Sequence, residues 1–96
     1  SNLQALARPT GTALVEQRVA TSSAVCGRAV GQVAWPSGTL ILALGREGEL
    51  IFPDRATVLE PGDLVSALVS PDAAARLEQM LSPGTEPEGG EPMALI

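Results

Sequence analysis

The chain reads as a small α+β domain, a mixed β-sheet of about four strands covered by two helices, in the order β-α-β-β-β-α. Three observations predict that class. Residues 12–19 (Thr-Ala-Leu-Val-Glu-Gln-Arg-Val) alternate from Leu14 onward with the period-two spacing of a strand. Residues 39–52 place two apolar runs, 40–44 and 50–52, on either side of a polar turn holding Arg46, Glu47 and Gly48, which is a hairpin pattern. Residues 71–81 repeat apolar side chains at helical spacing behind a Ser-Pro-Asp start.

Each element then follows in order. Ser1-Asn2 reads as a protease-cleavage scar, and Pro9-Thr-Gly11 breaks whatever helix or linker residues 3–9 belong to. Residues 1–11 are therefore expected to be tag remnant and linker, 12–82 the domain, and 83–96 a tail, with the whole an excised piece and last domain of a longer protein. The first strand turns Leu14, Glu16 and Arg18 to one face and Val15, Gln17 and Val19 to the other. Thr21-Ser22-Ser23 supplies N-cap residues for a helix over 24–33, with Val25, Ala29, Val30 and Val33 as its apolar stripe. Gly27 and Gly31 weaken that helix by about 1 kcal/mol each and are read as permitting close packing on the sheet. Trp35-Pro36-Ser37-Gly38 is a turn.

Residues 40–44 are apolar at every position, which predicts a strand with both faces covered. Gly48 supplies the positive φ of the hairpin turn, and Pro53 ends the next strand or holds it at an edge. Pro61-Gly62-Asp63 forms a turn before a last strand over 64–69. Ser70 then caps a helix with Pro71 at its first position, Asp72 on the positive end of its dipole, and Ala74, Leu77, Met80 and Leu81 inward. Ser82-Pro83-Gly84 stops it, and the Gly, Pro and Glu of 85–92 cannot bury enough apolar surface to order themselves.

Composition excludes several functions. The formal charge is −5, with six Arg, no Lys and 11 acids, so no basic patch invites nucleic acid or an anionic membrane surface. There is no His and no Tyr, so the usual general base is absent, and the single Cys26 can form neither an intramolecular disulfide nor a Cys-based metal site. Cys26 is read as a small packing residue. Glu47, Glu49 and Asp54 crowd the hairpin, where a solvated turn is preferred to a weak divalent-ion site. Gly45-Arg-Glu-Gly48 lacks the spacing and following helix of a phosphate loop. The chain is read as no enzyme, with no cofactor and no metal. No apolar run approaches the roughly 18 residues of a membrane span, and no secretory signal is visible, so a cytosolic location is expected. About 70 ordered residues give a marginal core, which favours a dimer.

Arg46 stands at the end of the apolar strand, where its guanidinium suits either a bidentate hold on phosphate or carboxylate, or a loose pair with Glu47 or Glu49. The residues alone favour the loose pair.

Taken together, Gly27-Arg28 after the first strand, Leu40-Ile-Leu-Ala-Leu followed by Arg46-Glu-Gly48-Glu-Leu-Ile-Phe-Pro53, and Thr57-Val-Leu59-Glu-Pro-Gly62-Asp63-Leu resemble the TrkA-C, or RCK-C, regulatory domain of potassium-transport regulators, channels and transporters. The likeness covers roughly residues 13–81 and rests on the order and spacing of motifs that are each weak alone. Gly45 departs from it, standing where the family usually has a strand residue beside the Arg. The resemblance implies a cytosolic ligand-sensing and homodimerising module attached, in the same chain or as a separate subunit, to a membrane-embedded channel or transporter. It further implies a small anionic ligand such as cyclic di-AMP at a two-fold interface, held here by Leu40, Ile41, Arg46 and Pro53. On that reading Arg46→Ala abolishes ligand-induced stabilisation and leaves the fold intact. The alternatives are a purely structural dimerisation module without ligand, and a β-grasp carrier, which the terminal Ala94-Leu95-Ile96 opposes because a carrier ends in Gly-Gly.

Overall fold

A computed structural model describes residues 11–84; the linker and acidic-tail expectations for 1–10 and 85–96 lie outside the described residues. Strands β1 (Ala13–Arg18), β2 (Thr39–Arg46), β3 (Glu49–Ile51) and β4 (Leu64–Val69) form one sheet in the order β1-β4-β2-β3, and helix α1 (Pro71–Leu81) packs across β1 and β4. The α+β class and four strands are as the sequence predicts. The sheet is not mixed: all three pairings are antiparallel. A parallel pair would need a long crossover, usually a helix, and the segment expected to supply one is not helical.

That segment is the main correction. Residues 24–33 form turns and a single 3-10 turn at Val30–Gln32 instead of an α-helix. Gly27 takes φ 86°, outside any helix, and its N–H donates to Leu59 O at 2.8 Å. The backbone then pairs with the strand-like stretch opposite: Leu59 N to Arg28 O at 2.9 Å, Val30 N to Thr57 O at 2.8 Å, and Gly31 N to Arg55 O at 2.9 Å. Each bond spends a donor or acceptor that a helix would need internally. Ser23, expected as an N-cap, accepts from Val25 N at 3.1 Å and donates to Met80 O at 2.7 Å, so it ties this loop to α1.

The hairpin is as read. Glu47 and Gly48 alone separate β2 from β3, both at positive φ (52° and 79°), the geometry of a two-residue type I′ turn. In α1, Ser70 sits at the N-cap without a side-chain capping bond, Pro71 opens the helix, and Ala73, Leu77 and Leu81 are its buried residues. These three pack with Val65, Ala67 and Val69 of β4, Leu44 of β2, and Val19, Val25, Val33 and Leu59 from the loops. The core therefore lies on one side of the sheet.

The other side is bare. The expectation that residues 40–44 would be covered on both faces fails at Leu40, which is 58% exposed, and at Leu42, where the register of β2 against β4 shifts by a bulge. The physical reason is the layer count: helix and loops cover one face, and no second layer among the described residues covers the other.

Candidate functional site

Two features of the sheet carry chemistry, and β2 joins them. At its C-terminal end Arg46 closes a clamp on Asp63, the residue before β4. Arg46 Nε and Nη2 donate to the two carboxylate oxygens of Asp63 at 2.8 Å each, the bidentate fork that guanidinium geometry favours. Nη2 also donates to Val58 O at 2.9 Å, and Nη1 lies 3.3 Å from a carboxylate oxygen of Glu60. Asp63 is 1% exposed and additionally accepts from Glu60 N–H at 2.9 Å. Burial alone would raise the Asp63 carboxyl, but the hydrogen bonds from Arg46 and Glu60 N–H, with the Arg46 charge, outweigh it and hold the carboxyl below its usual range. The same pairing raises the Arg46 guanidinium. Five N–H donors are available to an arginine, and this arrangement leaves one, on Nη1. Arg46 is thus neither loosely paired with Glu47 or Glu49 nor an open anion receptor.

The second feature is the bare outer face. Register places Leu14 of β1 beside Leu68 of β4, and Leu68 beside Leu40 of β2, so three leucines run in a row across three strands. Leu64 lies beside Gly45, and Gly45 beside Leu50 of β3, on the same side. Period-two alternation carries Phe52, 76% exposed, to the side of Leu50. Glu16 and Arg18 edge the face on β1. At the N-terminal end of β2 the face runs into an open cleft of about 370 Å³ lined by Thr12, Gly38, Thr39, Leu40, Leu68 and Ser70 among others, where the buried Thr39 hydroxyl lacks a hydrogen-bond partner.

The four residues expected to hold a ligand do not converge within one chain. Leu40 is on the outer face and in the cleft; Ile41 is partly buried against the core on the opposite face. Arg46 lies six residues further along β2, roughly 20 Å away at strand rise. Pro53 is half-buried just beyond β3. No group of three or more acidic or Cys side chains that could hold a metal ion occurs among the described residues, and no described helix is long and apolar enough to cross a membrane. Sequence reasoning missed Asp63 as the partner of Arg46; its only signal was an acid at a strand start, read as turn chemistry. It also missed the leucine row, although the alternation that set Leu14 beside Glu16 and Arg18 already put a large apolar side chain on the solvent face.

Comparison with known proteins agrees with this architecture. The TrkA-C domain family matches residues 14–82. The chain is 34% identical over 82 residues to the Trk system potassium uptake protein TrkA of Streptomyces coelicolor, an alignment covering 85% of this chain and 36% of that protein. The chain therefore spans about a third of the length of that relative. With the clamp, the hairpin and the last strand all inside the matched region, the chain belongs to the TrkA-C domain family.

Proposed function

We infer that this domain is a regulatory, homodimerising module of a potassium-uptake system, working on the cytoplasmic side of a membrane-embedded channel or transporter, and that its outer sheet face is the dimer contact. The observation that carries the reading is the leucine row Leu14–Leu68–Leu40 continued by Leu50 and Phe52. Taking about 200 Å² for a fully exposed large side chain, the exposures of Leu14, Leu40, Leu50 and Phe52 leave roughly 500 Å² of apolar surface open. That is the upper range for a patch on a monomer, and two such faces together reach the roughly 1,000 Å² that a specific interface requires. A two-fold axis sets each residue of one copy against its counterpart region in the other, so Glu16 and Arg18 on one row supply complementary charges at the rim. The potassium-uptake role rests on the family and on the likeness to the Streptomyces potassium uptake protein.

Regulation on this reading is a shift between two relative orientations of the protomers, biased by whatever prefers one of them. A cyclic dinucleotide such as cyclic di-AMP bound across the two-fold interface is the ligand version; of its expected contacts Leu40, Ile41, Arg46 and Pro53, only Leu40 lines the cleft on the outer face. One observation favours the second version, dimerisation without a ligand: Arg46 is occupied by Asp63, and Glu60 adds a further negative charge beside it.

The test is multi-angle light scattering of the chain and of Leu40→Glu, with melting followed in cyclic di-AMP. A dimer that L40E converts to a folded monomer is expected; a monomeric parent, or an unaffected dimer, overturns the interface. A saturable rise in Tm with cyclic di-AMP selects the ligand version, and none selects the structural one. In the full-length parent protein, L40E is expected to lower potassium uptake.

A further inference from the structure

Away from the sheet face, two guanidinium groups from separate loops are fastened to successive peptide carbonyls. Arg28 Nη2 donates to Gln32 O at 2.9 Å, and Arg55 Nη2 donates to Gly31 O at 3.3 Å. The Cα atoms of neighbouring residues are about 3.8 Å apart, so the two head groups lie within roughly 10 Å of each other. Their loops are locked together by the Gly27–Leu59, Leu59–Arg28, Val30–Thr57 and Gly31–Arg55 backbone bonds. Gly31 makes the approach possible: a Cβ there would stand 2.8 Å from Arg55 Cβ and 3.1 Å from Arg55 Cζ.

Both side chains are exposed, and in this acidic chain neither meets a carboxylate among the described residues, where ion pairs involve Arg46 alone. Asp54, next to Arg55, turns its carboxylate back onto its own loop, accepting from Ala56 N at 2.9 Å and Thr57 Oγ1 at 3.1 Å. Each of the two guanidiniums spends one of its five donors on a carbonyl and keeps the rest for solvent. Two like charges held this way repel, and an oxyanion between them removes the repulsion while accepting several charge-assisted hydrogen bonds.

The geometry points to an oxyanion site bridging Arg28 and Arg55, one that takes the phosphate group of a soluble molecule. It uses neither the leucine row nor Arg46, and so goes beyond the proposed dimer interface and stands or falls apart from it. The planar forks suit a phosphate better than a single carboxylate, because two guanidiniums can engage different edges of the tetrahedron.

The experiment is a titration of the full 96-residue chain with inorganic phosphate at constant ionic strength against chloride, read from the amide resonances of Gly31 and Gln32 and the Nε–H resonances of Arg28 and Arg55. Saturable shifts are expected, weakened about tenfold in Arg28→Gln or Arg55→Gln, abolished in the double variant and unchanged in Arg76→Gln. Parallel arms with a nucleoside diphosphate and with phosphatidylglycerol vesicles separate the sources. Tighter binding of the diphosphate without vesicle co-sedimentation supports the proposal. Co-sedimentation lost in the double variant overturns the assignment to a soluble ligand. Linear shifts that chloride reproduces in the parent chain overturn the site itself, with no variant needed.

Discussion

Asp63→Ala is the substitution that most directly measures what holds the sheet's far end together. The Asp63 carboxylate is 1% exposed and accepts three hydrogen bonds of 2.8–2.9 Å, two from Arg46 and one from Glu60 N–H. Bonds to a charged group contribute about 1.5–3 kcal/mol each, but the two from Arg46 are not independent, and its side chain, 24% exposed, regains water when released. Breaking a buried pair by removing one partner costs about 3–5 kcal/mol, and the open side of Arg46 places this case near about 3. A domain of this size has a total stability of only about 4–11 kcal/mol at typical values per residue. With about 4–8 °C per kcal/mol for so small a domain, Tm should fall by roughly 12–24 °C in a far-UV circular dichroism melt at pH 7. Glu60→Gln is the control: that pair is 3.3 Å long and its carboxylate side chain 55% exposed, so the change should cost under about 1 kcal/mol. A drop below about 4 °C for D63A, or an equal drop for E60Q, would refute the clamp as the source of stability. The same geometry withdraws the idea that Arg46→Ala leaves the fold intact, since it strands the buried Asp63 carboxylate. A melting loss in that variant is therefore no measure of lost ligand.

Two further predictions follow from the same contacts. The Asp63 carboxyl is held below its unfolded value of about 3.9, so its contribution is fully present above that pH and is lost as pH falls through the lower folded value. The stability gap between the parent and Asp63→Asn, taken from denaturant midpoints, should stay constant above about pH 5 and close below about pH 4; a gap that widens on acidification would reverse the sign. Gly31→Ala sets a methyl group 2.8 Å from Arg55 Cβ and 3.0 Å from Arg55 O, and backbone cannot swing aside, so a loss of about 1–3 kcal/mol is expected from chemical denaturation.

The parts of the fold legible in the sequence are those with local causes. The Glu47-Gly48 turn, the Pro71 helix start and the 64–69 strand depend on side chains within a few positions of one another, and each falls where the pattern puts it. Residues 24–33 deceived because Val25, Ala29, Val30 and Val33 have helical spacing, while the deciding partners are backbone groups of residues 55–59, some 30 positions away. Gly27 and Gly31 were the warning, since two glycines in one short helix oppose it by about 2 kcal/mol before any packing. Arg46 was legible as a residue with a task, but its partner was not. Asp63 lies 17 positions on and is brought to it by β2 and β4 running side by side.

The continuous apolar run in β2 acquires a different meaning once the layers are known. In a sheet covered on both sides such a run is core; here Leu44 is fully buried while Leu40, four residues earlier, is more than half exposed. A fold with one covered face needs only alternate apolar positions in its strands, as the Leu14–Glu16–Arg18 row of β1 partly respects. Leu40, Leu68, Leu50 and Phe52 therefore answer to something other than this chain's own core. In the proposed dimer they would be buried, and the folded protein would gain stability with its own concentration. β2 then has a mechanical consequence: one end carries Leu40 in the contact, the other carries Arg46 in the clamp, and Leu44 fixes the middle to the core. In that dimer, a rotation of one protomer against the other would meet a strand held at its far end by the Arg46–Asp63 clamp. The load would pass instead into the β2–β3 hairpin and into residues 55–59, which Arg46 holds through Val58 O.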